Sequence, residues 1–233
     1  RHLPAGMKPR LLLALCAIVL VLTGQGYSSG LELPSSWPWD QTHVDEHDAT
    51  LTVVRQRTAV PGYDRSCKAG HACVFGPAWT DDVDVRDGRN GCDQRSDVLR
   101  ESLEQIQLKP GTNGCIVARG ILHDPYTDQT VTYERSGNTE VVADHVIPLA
   151  AAWDLGAAQW SPRKRQNFAN DPRNLIITTS GANLSKGDKT PGEWMPEHGR
   201  CRYAQAYLEV ARAYGVALTR ADHRALTAAT GRC

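Results

Sequence analysis

Residues 144–189 read DHVIPLAAAWDLGAAQWSPRKRQNFANDPRNLIITTSGANLSKGDK, and this stretch decides both the fold and the chemistry of the chain. Asp144 and His145 open it, on a strand that Pro148 brings to an end. Asn174-Leu175-Ile176 leads into a β-branched run that reads as a second strand, and Gly187 marks the end of a helix by taking up a positive φ. Neighbouring strand residues point to opposite sides, so Asp144 and His145 can serve one site only at a bend or a strand end.

These side chains match the needs of phosphodiester hydrolysis. Water attacking phosphorus needs a base, and the developing negative charge needs positive charge beside it. An imidazole titrating near pH 6.5 is free to accept a proton at neutral pH, which suits His145 to the base. Asp144 and Asn183 offer one anionic and one neutral oxygen. Those are ligands for a hard divalent cation that keeps most of its sphere for water and phosphate. Each piece has a bland counterpart when taken alone. Asp-His is usually a surface or satisfied core dipeptide, Asn-Leu-Ile a strand entry and NxxKGD a helix end. Their order and spacing give the combination its weight.

DHVIPL, then NL, then NxxKGD resembles the HNH, or ββα-metal, nuclease superfamily. In particular it is similar to secreted actinobacterial HNH endonucleases related to the C-terminal domain of GmrSD-type restriction enzymes. Tyr63-Asp64-Arg65, FGPAWTD from Phe75, GCDQR over 91–95 and HDPYT over 123–127 resemble upstream blocks of that family, extending the likeness over roughly 51–194. The resemblance implies an α+β fold: a ββα-metal core with an inserted helical segment, an additional N-terminal helix and strands, and C-terminal helices. It implies that Asp144 and Asn183 hold one divalent metal and that His145 activates water. Asn174 would brace the loop between the strands and orient the histidine. Asn183 would lie on the helix after the second strand, where Lys186, one turn on, could reach a phosphate oxygen. Many family members end in a histidine ligand and carry CxxC zinc sites. Asparagine stands here instead and CxxC is absent, which implies Mg²⁺ first, Mn²⁺ second and no structural zinc.

The 233 residues carry 26 Lys+Arg against 26 Asp+Glu, so no global basic field gathers nucleic acid. Charge is uneven, however: the segment 161–190 holds Arg163, Lys164, Arg165, Arg173, Lys186 and Lys189 against Asp171 and Asp188. A charge run is usually a solvated face. Beside metal-site residues it reads as a phosphate-tracking surface, with Arg163, Arg165, Lys186 and Lys189 as the contacts.

Met7, Lys8 and Arg10 precede an apolar run from Leu11 to Leu22 and then small and polar residues. This is the pattern of a secretory signal over 1–26, with extra residues before Met7 and a run too short to span a bilayer. A flexible lead follows over 27–50, then a nuclease domain over 51–233 with its catalytic core at 140–196. The expected product is a secreted monomer, free of the membrane after cleavage. Loss of the signal removes Cys16 and leaves six cysteines, which in an exported chain imply three disulfides. Fifteen pairings are possible; proximity suggests Cys67–Cys73, Cys92–Cys115 and Cys201–Cys233.

A strand is expected at 51–54, a helix over 96–106 capped by Ser96 or Asp97, and strands over 115–122 and 130–133. Inserted helix falls within 149–169, including 162–168, and two terminal helices end at Gly215 and Thr230. The acidic run Asp81, Asp82, Asp84 and Asp87 misses the EF-hand spacing and reads as a turn-rich loop. Asp93 and Arg95 could pair with each other or position substrate.

The function so implied is a secreted metal-dependent endonuclease acting on DNA, or RNA, with little sequence specificity, since no base-reading module is evident. Two alternatives share the scaffold: an exported antibacterial nuclease toxin, and a non-catalytic extracellular nucleic-acid-binding protein.

Overall fold

Hydrophobic residues at 98, 99, 103, 117, 122, 133, 141, 175 and 177 gather into one buried cluster, and a larger one forms around Phe75, Tyr126, Trp153, Phe168 and Tyr207. Between them runs the strand Leu175–Thr179, whose five residues are all buried. Alternation along it sends Leu175 and Ile177 into the first cluster and Ile176 into the second. A strand buried on both faces reads as a continuous apolar run, as LIITT does.

The computed structural model describes residues 51–137 and 140–233, all within the compact unit Ser35–Cys233. The expected signal segment and lead over 1–50 lie outside the described residues. Among the described residues the architecture is mixed α+β with three small sheets and six α-helices. In chain order the elements are β1 (Val53–Val54), α1 (Gln94–Ser102), β2 (Leu103–Leu108), β3 (Val117–His123), β4 (Thr130–Glu134), β5 (Val141–His145), α2 (Leu149–Asp154), α3 (Pro162–Asn170), β6 (Leu175–Thr179), α4 (Ser180–Lys186), α5 (Arg200–Tyr214), β7 (Leu218–Thr219) and α6 (Arg220–Thr230). β1 pairs in parallel with β7, β2-β3-β4 form an antiparallel meander, and β5 pairs antiparallel with β6, His145 opposite Leu175. The α2–α3 segment is the insertion between those last two strands.

One expected element is different. The helix begins two residues earlier and stops at Ser102, and Leu103–Leu108 is a strand paired with β3. Apolar residues at 98, 99, 103 and 106 satisfy a helical interval by coincidence, because Leu103 already belongs to the ladder. The cap is Asp93, whose side chain accepts the Ser96 N–H at 2.8 Å. Asp93 thus has the structural role, as a helix cap bonded to Ser96, rather than an ion pair with Arg95.

The β3–β4 turn is clipped to β6 through one buried carboxylate. Asp124 accepts from the Tyr126 N–H at 2.9 Å, the Thr127 hydroxyl at 2.9 Å, the Thr178 hydroxyl at 2.8 Å, and the Thr179 N–H and hydroxyl at 3.0 and 2.7 Å. Each buried donor left orphaned costs about 1–3 kcal/mol. Asp124→Ala is therefore expected to destabilise the protein by at least about 3 kcal/mol, read by chemical denaturation. A loss below about 1 kcal/mol would show that the clip carries little of the fold's stability.

Disulfides join Cys67 to Cys73, Cys92 to Cys115 and Cys201 to Cys233, the three pairs that proximity suggests. The last ties the chain end to the first turn of α5, and the first closes a small loop beside the cleft described next. Among the described residues no helix is long and apolar enough to cross a membrane.

Candidate active site

His145 is the final residue of β5, and this position resolves the problem of two neighbours facing opposite sides. Asp144 points toward α4 and His145 toward the end of α3, yet both line one cleft of about 480 Å³ together with Asn183. The His145 Nε2 lies 2.8 Å from the Ala169 carbonyl oxygen. A carbonyl only accepts, so the proton sits on Nε2 and the Nδ1 lone pair is left available. The ring is half-buried, and burial pushes its pKa down to about 4 against the opposing pull of the Ala169 carbonyl. It is therefore neutral at physiological pH.

Asn174 is fully buried. Its Oδ1 accepts the Ile147 N–H at 2.8 Å, its Nδ2 donates to the Phe168 carbonyl at 3.2 Å, and its own carbonyl accepts the Val146 N–H at 2.8 Å. The backbone leaving His145 and the end of α3 that supplies Ala169 are thus joined by one side chain.

Lys186 departs from the expectation that it reaches solvent phosphate. It is completely buried, with Nζ 3.1 and 2.9 Å from the two Asp144 carboxylate oxygens and donating to the His145 carbonyl at 2.6 Å. The face of α4 that carries it packs against β5, so a lysine there meets the Asp144 backbone region before it meets water. Burial lowers the ammonium's pKa while Asp144 raises it. The Tyr126 hydroxyl donates to Asp144 Oδ2 at 3.1 Å, and burial beside that carboxylate holds the phenol well above its ordinary pKa, a permanent donor.

Three further basic residues are committed elsewhere. Arg163 forks onto Asp84 at 2.5 and 2.7 Å and onto the Asp82 carbonyl at 2.7 Å. Arg165 donates to the carbonyls of Val74 at 2.6 Å and of Trp160, and lies over the Trp153 ring. Arg173 pairs with buried Asp171 at 2.7 Å. The positive stretch 161–190 is therefore largely internal scaffolding, and the acidic run from Asp81 receives arginines. Lys189 is exposed and donates to the Ser185 carbonyl at 2.7 Å, outside the cleft lining.

Three residues at the site were not assigned from the sequence: Trp79 and Arg65, which line the cleft, and buried Tyr126, which bonds Asp144 from behind it. All lie in blocks singled out there, HDPYT, FGPAWTD and YDR, so the signal was the block and the missing information was which side chain turns inward. Trp79 stacks on His145 with ring centroids 5.7 Å apart and planes 11° from parallel. Its φ of 59° is unusual for a bulky side chain, a local strain of the kind found at functional sites.

A divalent ion is compatible with these residues. A carboxylate offers about four lone-pair positions, and the Lys186 and Tyr126 contacts leave one open on Asp144 Oδ1. The Asn183 amide has no hydrogen-bond partner among the described residues, and both side chains line the same cleft. An Asp/Asn oxygen pair suits an ion that retains its water.

A family model described as "GmrSD restriction endonucleases, C-terminal domain" matches residues 93–229. The matched span begins after the YDR and FGPAWTD blocks and runs past Trp194 to the end of α6. An "Uncharacterized secreted protein" of Arthroderma benhamiae is 35% identical over 146 residues, covering 61% of this chain and 68% of the relative. No solved structure matches the chain.

Proposed function

Since the chain belongs to the family of GmrSD restriction endonuclease C-terminal domains, we propose that it is a metal-dependent endonuclease hydrolysing phosphodiester bonds of DNA, and of RNA where that strand fits the cleft. The observation that carries this reading is the His145 ring, which donates its Nε2–H to the Ala169 carbonyl and lines a cleft with Asp144 and Asn183. β5, β6 and α4 serve as the ββα unit of an HNH nuclease.

His145 Nδ1 takes a proton from the attacking water, while Ala169 and the stacked Trp79 hold the ring against rotation. Asn174 keeps the β5 exit and the α3 end in register. Asp144 and Asn183 hold one Mg²⁺ or Mn²⁺, which when bound supplies positive charge to the phosphate oxygens. Lys186 and Tyr126 fix the Asp144 carboxylate in place.

With no base-reading module in the sequence, backbone contacts dominate and recognition has little sequence specificity. The three disulfides suit an oxidising compartment. With the signal pattern at 1–26 and a relative named as secreted, they support an extracellular location.

Asn183→Ala tests the ligand assignment. The Mg²⁺ concentration giving half-maximal cleavage is expected to rise about tenfold or more, with much of the rate recovered at saturating metal. A fall in maximal rate with unchanged metal dependence would remove Asn183 from the ligand set.

A further inference from the structure

The basic residues that spacing offered to the substrate are largely spoken for, yet the cleft is not without a cation. Arg65 is the only lysine or arginine among the described residues that line it. It is exposed and has no carboxylate within ion-pair distance among the described residues, unlike Arg163 and Arg173. It lies beside the Tyr63 phenol, and its charge reaches the His145 ring.

The backbone around Arg65 is held on both sides. Asp64 accepts the Ser66 N–H at 3.1 Å and the Ala72 N–H at 2.9 Å and contacts the His71 ring at 3.0 Å. The Cys73 N–H donates to the Ser66 carbonyl at 3.1 Å and the Val74 N–H to the Asp64 carbonyl at 2.9 Å, pinning the two ends of the loop closed by Cys67–Cys73. A fixed main chain with a guanidinium that has no carboxylate partner among the described residues, lining a candidate catalytic cleft, is arranged for an external anion. The planar fork matches two oxygens of one phosphate.

We propose that Arg65 binds the phosphodiester presented to His145, filling the role that sequence spacing had offered to Lys186. The inference rests on the nuclease reading above. It goes beyond that reading by assigning substrate contact to a segment that precedes the family-matched span 93–229. The segment over 63–76, which carries the Cys67–Cys73 disulfide, is then a wall of the substrate site.

The test compares full-length Arg65→Ala, Arg65→Lys and Arg220→Ala with the unsubstituted protein on a labelled DNA duplex, across a range of KCl. Arg220 is exposed on α6 outside the cleft and controls for loss of one charge. Binding of the same duplex is measured in a His145→Ala background.

Arg65→Ala is expected to lower kcat/KM at least tenfold, chiefly through KM, and to make the slope of log affinity against log salt shallower by about 0.9, one phosphate contact. Arg65→Lys should recover part of the affinity, and Arg220→Ala should stay within about twofold. If the unsubstituted protein cuts DNA and Arg65→Ala matches Arg220→Ala in KM and salt slope, Arg65 is not a phosphate contact. An unsubstituted protein that neither binds nor cuts overturns the nuclease reading itself, and this inference with it.

Discussion

His145→Ala is expected to lower the metal-dependent rate of DNA cleavage by about 10²–10⁴, the usual contribution of a positioned general base. Folding should survive, because the substitution removes one hydrogen bond to Ala169, worth about 1 kcal/mol. The same residue sets the acid limit of activity. A base must be neutral, and burial holds this imidazole down to about 4. Activity present at pH 7 should therefore persist at pH 5, where an ordinary histidine would be mostly protonated, and fall as pH drops through about 4. Rate measurements from pH 8 down to about pH 3, with melting followed in parallel, check this. An acid limb near 6.5 would mean that His145 titrates as an exposed residue or that another group is the base.

The second large effect belongs to Lys186 and separates a buried partner from a substrate contact. Lys186→Met leaves the Asp144 carboxylate buried at 6% exposure with Tyr126 as its remaining side-chain donor. Breaking a buried ion pair from one side costs about 3–5 kcal/mol. In EDTA the single variant should melt well below the parent. Asp144→Asn combined with Lys186→Met should recover much of that loss, since no unpaired charge remains. Both proteins should be inactive, because the carboxylate is mispositioned in one and gone in the other. An unchanged melting temperature with a raised KM would instead restore Lys186 as a phosphate contact.

The contrast between Lys186 and Arg65 shows where the sequence was legible. Strand-helix order around 144–189 followed from period, Pro148 and Gly187, and the termini of α5 and α6 from Gly215 and the apolar spacing. Asp144, His145 and Asn183 could be grouped because their chemistry is recognisable at fixed spacing. Which face of α4 a lysine occupies is a packing outcome, decided by where β5 lies, and no local pattern contains it. Arg163 and Arg165 were misread for the same reason: their partners, Asp84 and the Val74 carbonyl, lie some 80 to 90 residues away in sequence. Leu103 shows a different failure, a helical interval that continued across a boundary set by pairing with Leu122.

The most direct measurement incubates the purified protein and His145→Ala with supercoiled plasmid and with RNA in Mg²⁺, in Mn²⁺ and in EDTA. The account predicts strand breaks in the plasmid by the unsubstituted protein with either metal, none in EDTA, and cutting by the variant reduced by orders of magnitude. Plasmid and RNA left intact under every condition, or equal cutting by the two proteins, would contradict it.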